Sequence, residues 1–180
     1  DIIKGVLDDS RQGIFAVPLV PGGGKSTLLR ALLTVFAEVF RDMSDPIAKR
    51  LGGVIVVVEK ASEGDELQQL CNCGLEPGEP PVARLLSAVN DYNLKKGRCL
   101  TGEARTYVEC PRHACREAAN CPLLHTMAGL GETPILILLH ARLAEHLPDM
   151  TSFAAWCQAD GTEHRRTLLL IDEAPELVRQ

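Results

Sequence analysis

Aromatic side chains are scarce in this 180-residue chain, where one Trp, two Tyr and four Phe make up 4% of the residues. A stacking platform for single-stranded nucleic acid lines up several rings, so aromatic stacking alone does not carry nucleic-acid binding here. Long hydrophobic runs are missing too. The longest aliphatic stretches, such as Val54 to Val58 and Ile135 to Leu139, fall far short of the roughly 20 apolar residues that span a bilayer, which excludes a membrane partner of that kind. No basic, hydrophobic and small-residue succession opens the chain, so a secretory signal is absent. A start at Asp1 reads as an excised piece. An overall basic balance is lacking as well: the net charge is -5, and no global field favours a phosphate backbone. There is no internal repeat, and the low-complexity content is limited to the turn-rich run Gly74 to Pro81. Residues 1–180 therefore read as one domain.

What is present begins with enough apolar residue, 46%, to build a core. Gly13 to Val17, Val54 to Val58, Pro134 to Leu139 and Leu168 to Ile171 are short apolar runs without alternation. Strands buried on both faces of a parallel sheet read this way. The segment Lys25 to Arg41 places Leu29, Leu32, Leu33, Phe36 and Phe40 at helical spacing, which predicts an amphipathic helix. Strands alternating with helices predict an α/β fold, a parallel sheet flanked by helices, with ligands bound beyond the carboxyl ends of the strands. Prolines and glycines from Pro77 to Pro122 break this rhythm. The stretch of about 71–128 is accordingly expected to be an inserted subdomain.

Between the first predicted strand and the helix lies Val20-Pro21-Gly22-Gly23-Gly24-Lys25-Ser26-Thr27. Glycines in that position let consecutive backbone N–H groups approach phosphate oxygens, and the helix N-terminus adds positive potential. Lys25 then reaches the β- and γ-phosphates and the Ser26 hydroxyl ligates Mg²⁺, as a P-loop requires. Leu19 stands where the usual pattern begins with glycine. The second motif is the acidic pair Asp172-Glu173, at the end of the Leu168 to Ile171 run. Asp172 is placed to hold Mg²⁺ and Glu173 to deprotonate the water that attacks the γ-phosphate. The expected catalytic set is Lys25, Asp172 and Glu173, with Pro21 to Thr27 binding ATP.

Seven cysteines, an odd number without a signal peptide, point to a reducing compartment in which thiols bind metal or stay free. Cys99, Cys110, Cys115 and Cys121 are separated by ten, four and five residues, a compact soft-ligand set for an iron-sulfur cluster or for zinc. Cys71 and Cys73 offer an alternative first ligand. From Lys95 to Cys121 there are six bases against three acids, so this segment is net +3 and the remainder -8. Lys95, Lys96, Arg98 and Arg105 are the candidate DNA phosphate contacts, or a solvated charged face.

In order and spacing these elements resemble the iron-sulfur DNA helicases of superfamily two, the group that includes the DinG and xeroderma pigmentosum group D types. The likeness covers most of the chain. Leu94-Lys95-Lys96-Gly97-Arg98-Cys99 resembles that family's approach to its first cluster cysteine, and Cys110-Pro111, Cys115 and Cys121 resemble the later ligands. Pro134 to Leu143 is similar to a strand that ends in Asn-His-Ala-Leu-Leu, with Leu139 in place of the asparagine and His140 matching the histidine. Leu170-Ile171-Asp172-Glu173-Ala174-Pro175 resembles the Asp-Glu-Ala-His box, with Pro175 replacing the histidine. Val56 to Lys60 is a looser match to the motif that follows the P-loop helix.

The resemblance implies a RecA-like ATPase domain carrying a 4Fe-4S cluster and acting in DNA repair. ATP and Mg²⁺ are the implied cofactors, with single-stranded or forked DNA and a second RecA-like domain as partners. A cytoplasmic, nucleoid-associated location follows if the source is prokaryotic or phage. Alone, the fragment is expected not to unwind DNA. The alternative reading is a zinc-stabilised P-loop ATPase without unwinding activity, serving packaging, clamp loading or signalling.

Overall fold

The computed structural model describes residues 24–86, 115–121, 129–141, 143 and 151–172. Their frame is a four-stranded sheet with helices against it. Strand β1 (Val54–Val58) lies at the centre, between β3 (Ile135–Leu139) and β6 (Leu168–Ile171), with β2 (Ala83–Leu86) outside β3. All three ladders are parallel: Val54 is in register with both Ile135 and Leu168, and Ala83 with Ile135. The fold is thus α/β, an arrangement compatible with a RecA-like domain. A separate antiparallel pair, β4 (Ala155–Cys157) and β5 (Glu163–Arg165), precedes β6.

Helix α1 (Lys25–Arg41) has the predicted bounds, because its apolar stripe is complete: Leu29, Leu33, Phe36, Ala37 and Phe40 are buried. Helix α2 (Pro46–Leu51) is short and started by its cap. The Asp45 carboxylate accepts the N–H groups of Ile47 and Ala48 at 2.6 and 3.4 Å, and Pro46 occupies the first turn, where its missing N–H costs nothing. Helix α3 (Ala61–Cys71) buries Gly64, Leu67 and Cys71. These three helices lie on one face of the sheet, over Val54, Val56, Val58, Ala83, Leu85, Ile135 and Ile137. Ile55, Val57, Leu86, Leu136 and Leu138 face the other way and pack with Leu130, Leu143 and Phe153.

Two sequence expectations change. Strand β2 lies inside the stretch of about 71–128 assigned to an insertion, yet it pairs with β3, so the sheet extends to Leu86. Its signal is weak because it is four residues long, interrupted by Arg84 and preceded by Pro80-Pro81. Strand β6 is not buried on both faces: Leu169 and Ile171 are 47% and 45% exposed. Both belong to the face opposite α1, and among the described residues β6 is an edge strand.

The outer strand β2 is closed off by α3. Asn72 Oδ1 accepts from the N–H groups of Val82 and Ala83, its Nδ2 donates to the Ala83 carbonyl, and Gln68 Oε1 accepts from Leu85 N–H. Side chains thereby occupy backbone groups that an open edge would offer to another strand.

Candidate functional site

Helix α1 runs antiparallel to the strands. Near its end, Phe40 and Met43 share a cavity with Val82 and Pro134, which immediately precede β2 and β3. At 1.5 Å per residue a 17-residue helix extends about 25 Å, so its first turn stands at the carboxyl end of the sheet. Gly24 precedes that turn with φ 82°, a left-handed conformation open to glycine at no steric cost. No side chain caps the turn, and it contains no acidic residue. A helix start of this kind presents N–H groups and positive potential. Lys25 is half-buried, while Ser26 and Thr27 are exposed. Pro21, Gly22 and Gly23 lie outside the described residues.

At the same end of the sheet, Asp172 directly follows β6 and remains tied to the ladder, its N–H donating to the Val57 carbonyl at 2.9 Å. The Asp172 carbonyl in turn receives a 2.9 Å bond from His140 Nε2. A carbonyl only accepts, so the geometry assigns the proton to Nε2 and leaves Nδ1 of a neutral ring as an acceptor. His140 follows β3, and Asp172 follows β6; the bond thus joins the tips of the two strands that flank β1. Sequence reading had no means of finding this link across 32 positions. Leu139 has a separate explanation, since it packs against the core beneath α1. Glu59 and Lys60 are exposed at the end of β1, as a solvated strand end would be. Glu173 lies outside the described residues.

The Ser26 hydroxyl and the Asp172 carboxylate are each hard oxygen ligands of the kind that Mg²⁺ takes. Of the four cluster cysteines, Cys115 and Cys121 are described, both as free thiols, half-buried and buried respectively. They bracket a 3₁₀ turn (Ala118–Asn120) in which Ala118 N–H donates to the Cys115 carbonyl at 3.1 Å and Cys121 N–H to that of Ala118 at 3.3 Å. Two shielded thiols on a compact turn fit a soft-metal site. Cys99 and Cys110, and the basic residues Lys95, Lys96, Arg98 and Arg105, lie outside the described residues. Among the described residues no three His, Cys, Asp or Glu side chains converge on a metal position.

Cys71 and Cys73 separate clearly. Cys71 is fully buried in the core beneath α1, and burial pushes its thiol up to about 12; it is a packing residue rather than a ready thiolate. Cys73 is exposed in the turn after α3.

Fold and site define an α/β domain with a polar helix start and an acidic strand end towards the carboxyl end of the sheet. Comparison with protein-family models, with curated proteins and with solved structures finds no match for this chain. Among the described residues no helix is long and apolar enough to cross a membrane.

Proposed function

We propose that this chain is the first motor domain of an ATP-dependent DNA helicase of the iron-sulfur type. One arrangement supports the reading above the others: the Gly24-Lys25-Ser26 helix start and Asp172 both lie towards the carboxyl end of a parallel sheet. In this reading the N–H groups of the first turn of α1 and the Lys25 ammonium hold the β- and γ-phosphates of ATP. Ser26 and Asp172 hold Mg²⁺, which when bound neutralises charge developing on the γ-phosphoryl oxygens. Glu173 accepts a proton from the attacking water as its oxygen bonds to the γ-phosphorus and the bond to the ADP oxygen breaks. The products are ADP and phosphate.

The cluster assignment to Cys99, Cys110, Cys115 and Cys121 and the DNA contacts from Lys95, Lys96, Arg98 and Arg105 belong to the same proposal. They rest on the order of the motifs and the local +3 balance.

The test uses the full-length protein purified without oxygen. Lys25→Ala is expected to weaken ATP binding by about a hundredfold or more, as loss of a charge-assisted phosphate contact predicts. Glu173→Gln should keep ATP binding and lose DNA-stimulated turnover. Unchanged affinity in Lys25→Ala would refute the phosphate site. Stoichiometric zinc, no iron and ATPase activity indifferent to DNA would refute the helicase assignment in favour of a zinc-stabilised ATPase.

A further inference from the structure

At the opposite, amino end of the sheet a cavity of about 850 Å³ opens between the end of α1, the loop before β2 and the β4–β5 hairpin. Its apolar lining includes Phe40, Met43, Leu75, Pro134 and Trp156. Around it stand the exposed carboxylates of Glu76, Glu79, Glu132 and Asp160. Among the described residues of the lining the cation is Arg41, and it is already committed: it donates to the Cys73 carbonyl and pairs with Glu38 at 3.4 Å. Among the described residues the rim thus carries four carboxylates over an apolar floor, with its lining cation engaged elsewhere.

The groove is built rather than collapsed. Asn72 anchors the start of β2 through both of its amide atoms. Trp156 Nε1 donates to the Gly52 carbonyl at 2.6 Å, fixing the indole. Glu79 Oε2 accepts from Glu76 N–H at 2.9 Å, and the Thr162 N–H and hydroxyl hold the Asp160 carboxyl below its ordinary range. Preformed walls and pinned charges lower the ordering cost of binding.

We propose that this groove docks a short peptide segment of a partner protein in which lysine or arginine side chains alternate with aliphatic ones. The carboxylates pair with the cations at the rim, and an aliphatic side chain packs on Met43 and Leu75, which are half-buried in the lining. Charge complementarity selects this occupant: an acidic peptide meets four like charges, and a purely apolar one leaves them without partners. The proposal is independent of the nucleotide reading, since Lys25 and Asp172 lie at the other end of the strands.

Trp156 is the chain's single tryptophan and lines the groove wall, so its fluorescence responds to a change in that wall. The full chain is titrated with an eight-residue peptide alternating leucine and lysine. Glutamate-leucine and lysine-glycine peptides of the same length and spermine serve as controls. A saturable change with the leucine-lysine peptide is expected, weakened about tenfold or more by raising salt from about 50 to about 500 mM and by the triple variant E76Q/E79Q/E132Q. These side chains are exposed, and an unchanged circular dichroism spectrum verifies that the variant is folded. No saturable signal up to about 1 mM peptide, roughly the limit of specific recognition, overturns the proposal, as does equal binding by any control or by the triple variant. Tighter binding of a peptide spanning residues 91–98 of this chain, or concentration-dependent dimerisation that the leucine-lysine peptide abolishes, makes the occupant the chain itself and equally overturns it.

Discussion

The two ends of the sheet are built on different terms. At the amino end, side chains stitch the backbone together. Arg166 is 7% exposed and donates to the carbonyls of Phe153, Ala155, Leu130 and Thr133. Thr167 Oγ1 donates to the Leu51 carbonyl at 2.7 Å, and Trp156 reaches Gly52. A Cβ on Gly52, which sits at φ 59°, would run into the Arg165 carbonyl oxygen, so the α2–β1 junction packs directly under β5. At the carboxyl end His140 links to Asp172, while Ser26, Thr27, Glu59 and Lys60 are exposed. Among the described residues the side-chain bonds gather at the amino end, and exposed polar groups stand at the other, with the sheet as a fixed base between them.

The strongest challenge to this contrast is Arg166→Met. Burial holds the guanidinium down at about 10, so it is still charged at neutral pH, and its removal strips a donor from four carbonyls. A loss of about 3 to 5 kcal/mol is expected in urea unfolding, with the affinity of the proposed nucleotide site unchanged in the folded protein. A loss below about 1 kcal/mol would mean that the amino end is held by packing alone.

The second effect is pH-dependent and sharpens the account of the core between the two ends. The Cys71 thiol has its ionisation raised from 9.0 to about 12 by burial. Above pH 9.0 the unfolded chain loses this proton while the folded chain retains it, so stability falls as pH rises towards about 12. The slope is about 1.4 kcal/mol per pH unit once the unfolded thiol has titrated. Comparing wild type with Cys71→Ala in urea unfolding between about pH 8 and about pH 10 isolates the term, because the variant lacks this slope.

The smallest stability effect belongs to the carboxyl end. His140→Ala should cost about 0.5 to 1.5 kcal/mol, one partly exposed hydrogen bond. In the proposed nucleotide site it should also raise the Mg²⁺ concentration needed for half-maximal ATP binding several-fold, since the backbone of Asp172 loses a tether. His140→Gln, which keeps an N–H donor, should recover part of that shift. An unchanged Mg²⁺ midpoint would reduce the His140 bond to a structural contact and leave the two ends alike.

Much of the fold was legible locally. The stripe from Leu29 to Phe40 marked α1, and β1 and β3 announced themselves as unbroken aliphatic runs because both faces of the sheet are covered there. The β4–β5 pair was not legible, since three-residue strands carry too little pattern. Helix α3 was obscured as well: Gly64 and a polar sequence leave a thin apolar stripe, with Leu67 and Cys71 buried. At the candidate site, Lys25, Ser26 and Asp172 were visible as motif residues, but the role of His140 depends on a contact made through space.

The amino-acid sequence by itself determined the parallel α/β plan and the bounds of α1, because hydrophobic period and glycine placement act over a few residues. Only the tertiary structure decided the strand order, the burial of Cys71, the Arg166 carbonyl cage and the His140 link. Each of these joins positions far apart in the chain, where burial and hydrogen-bond geometry, rather than local pattern, select the partner.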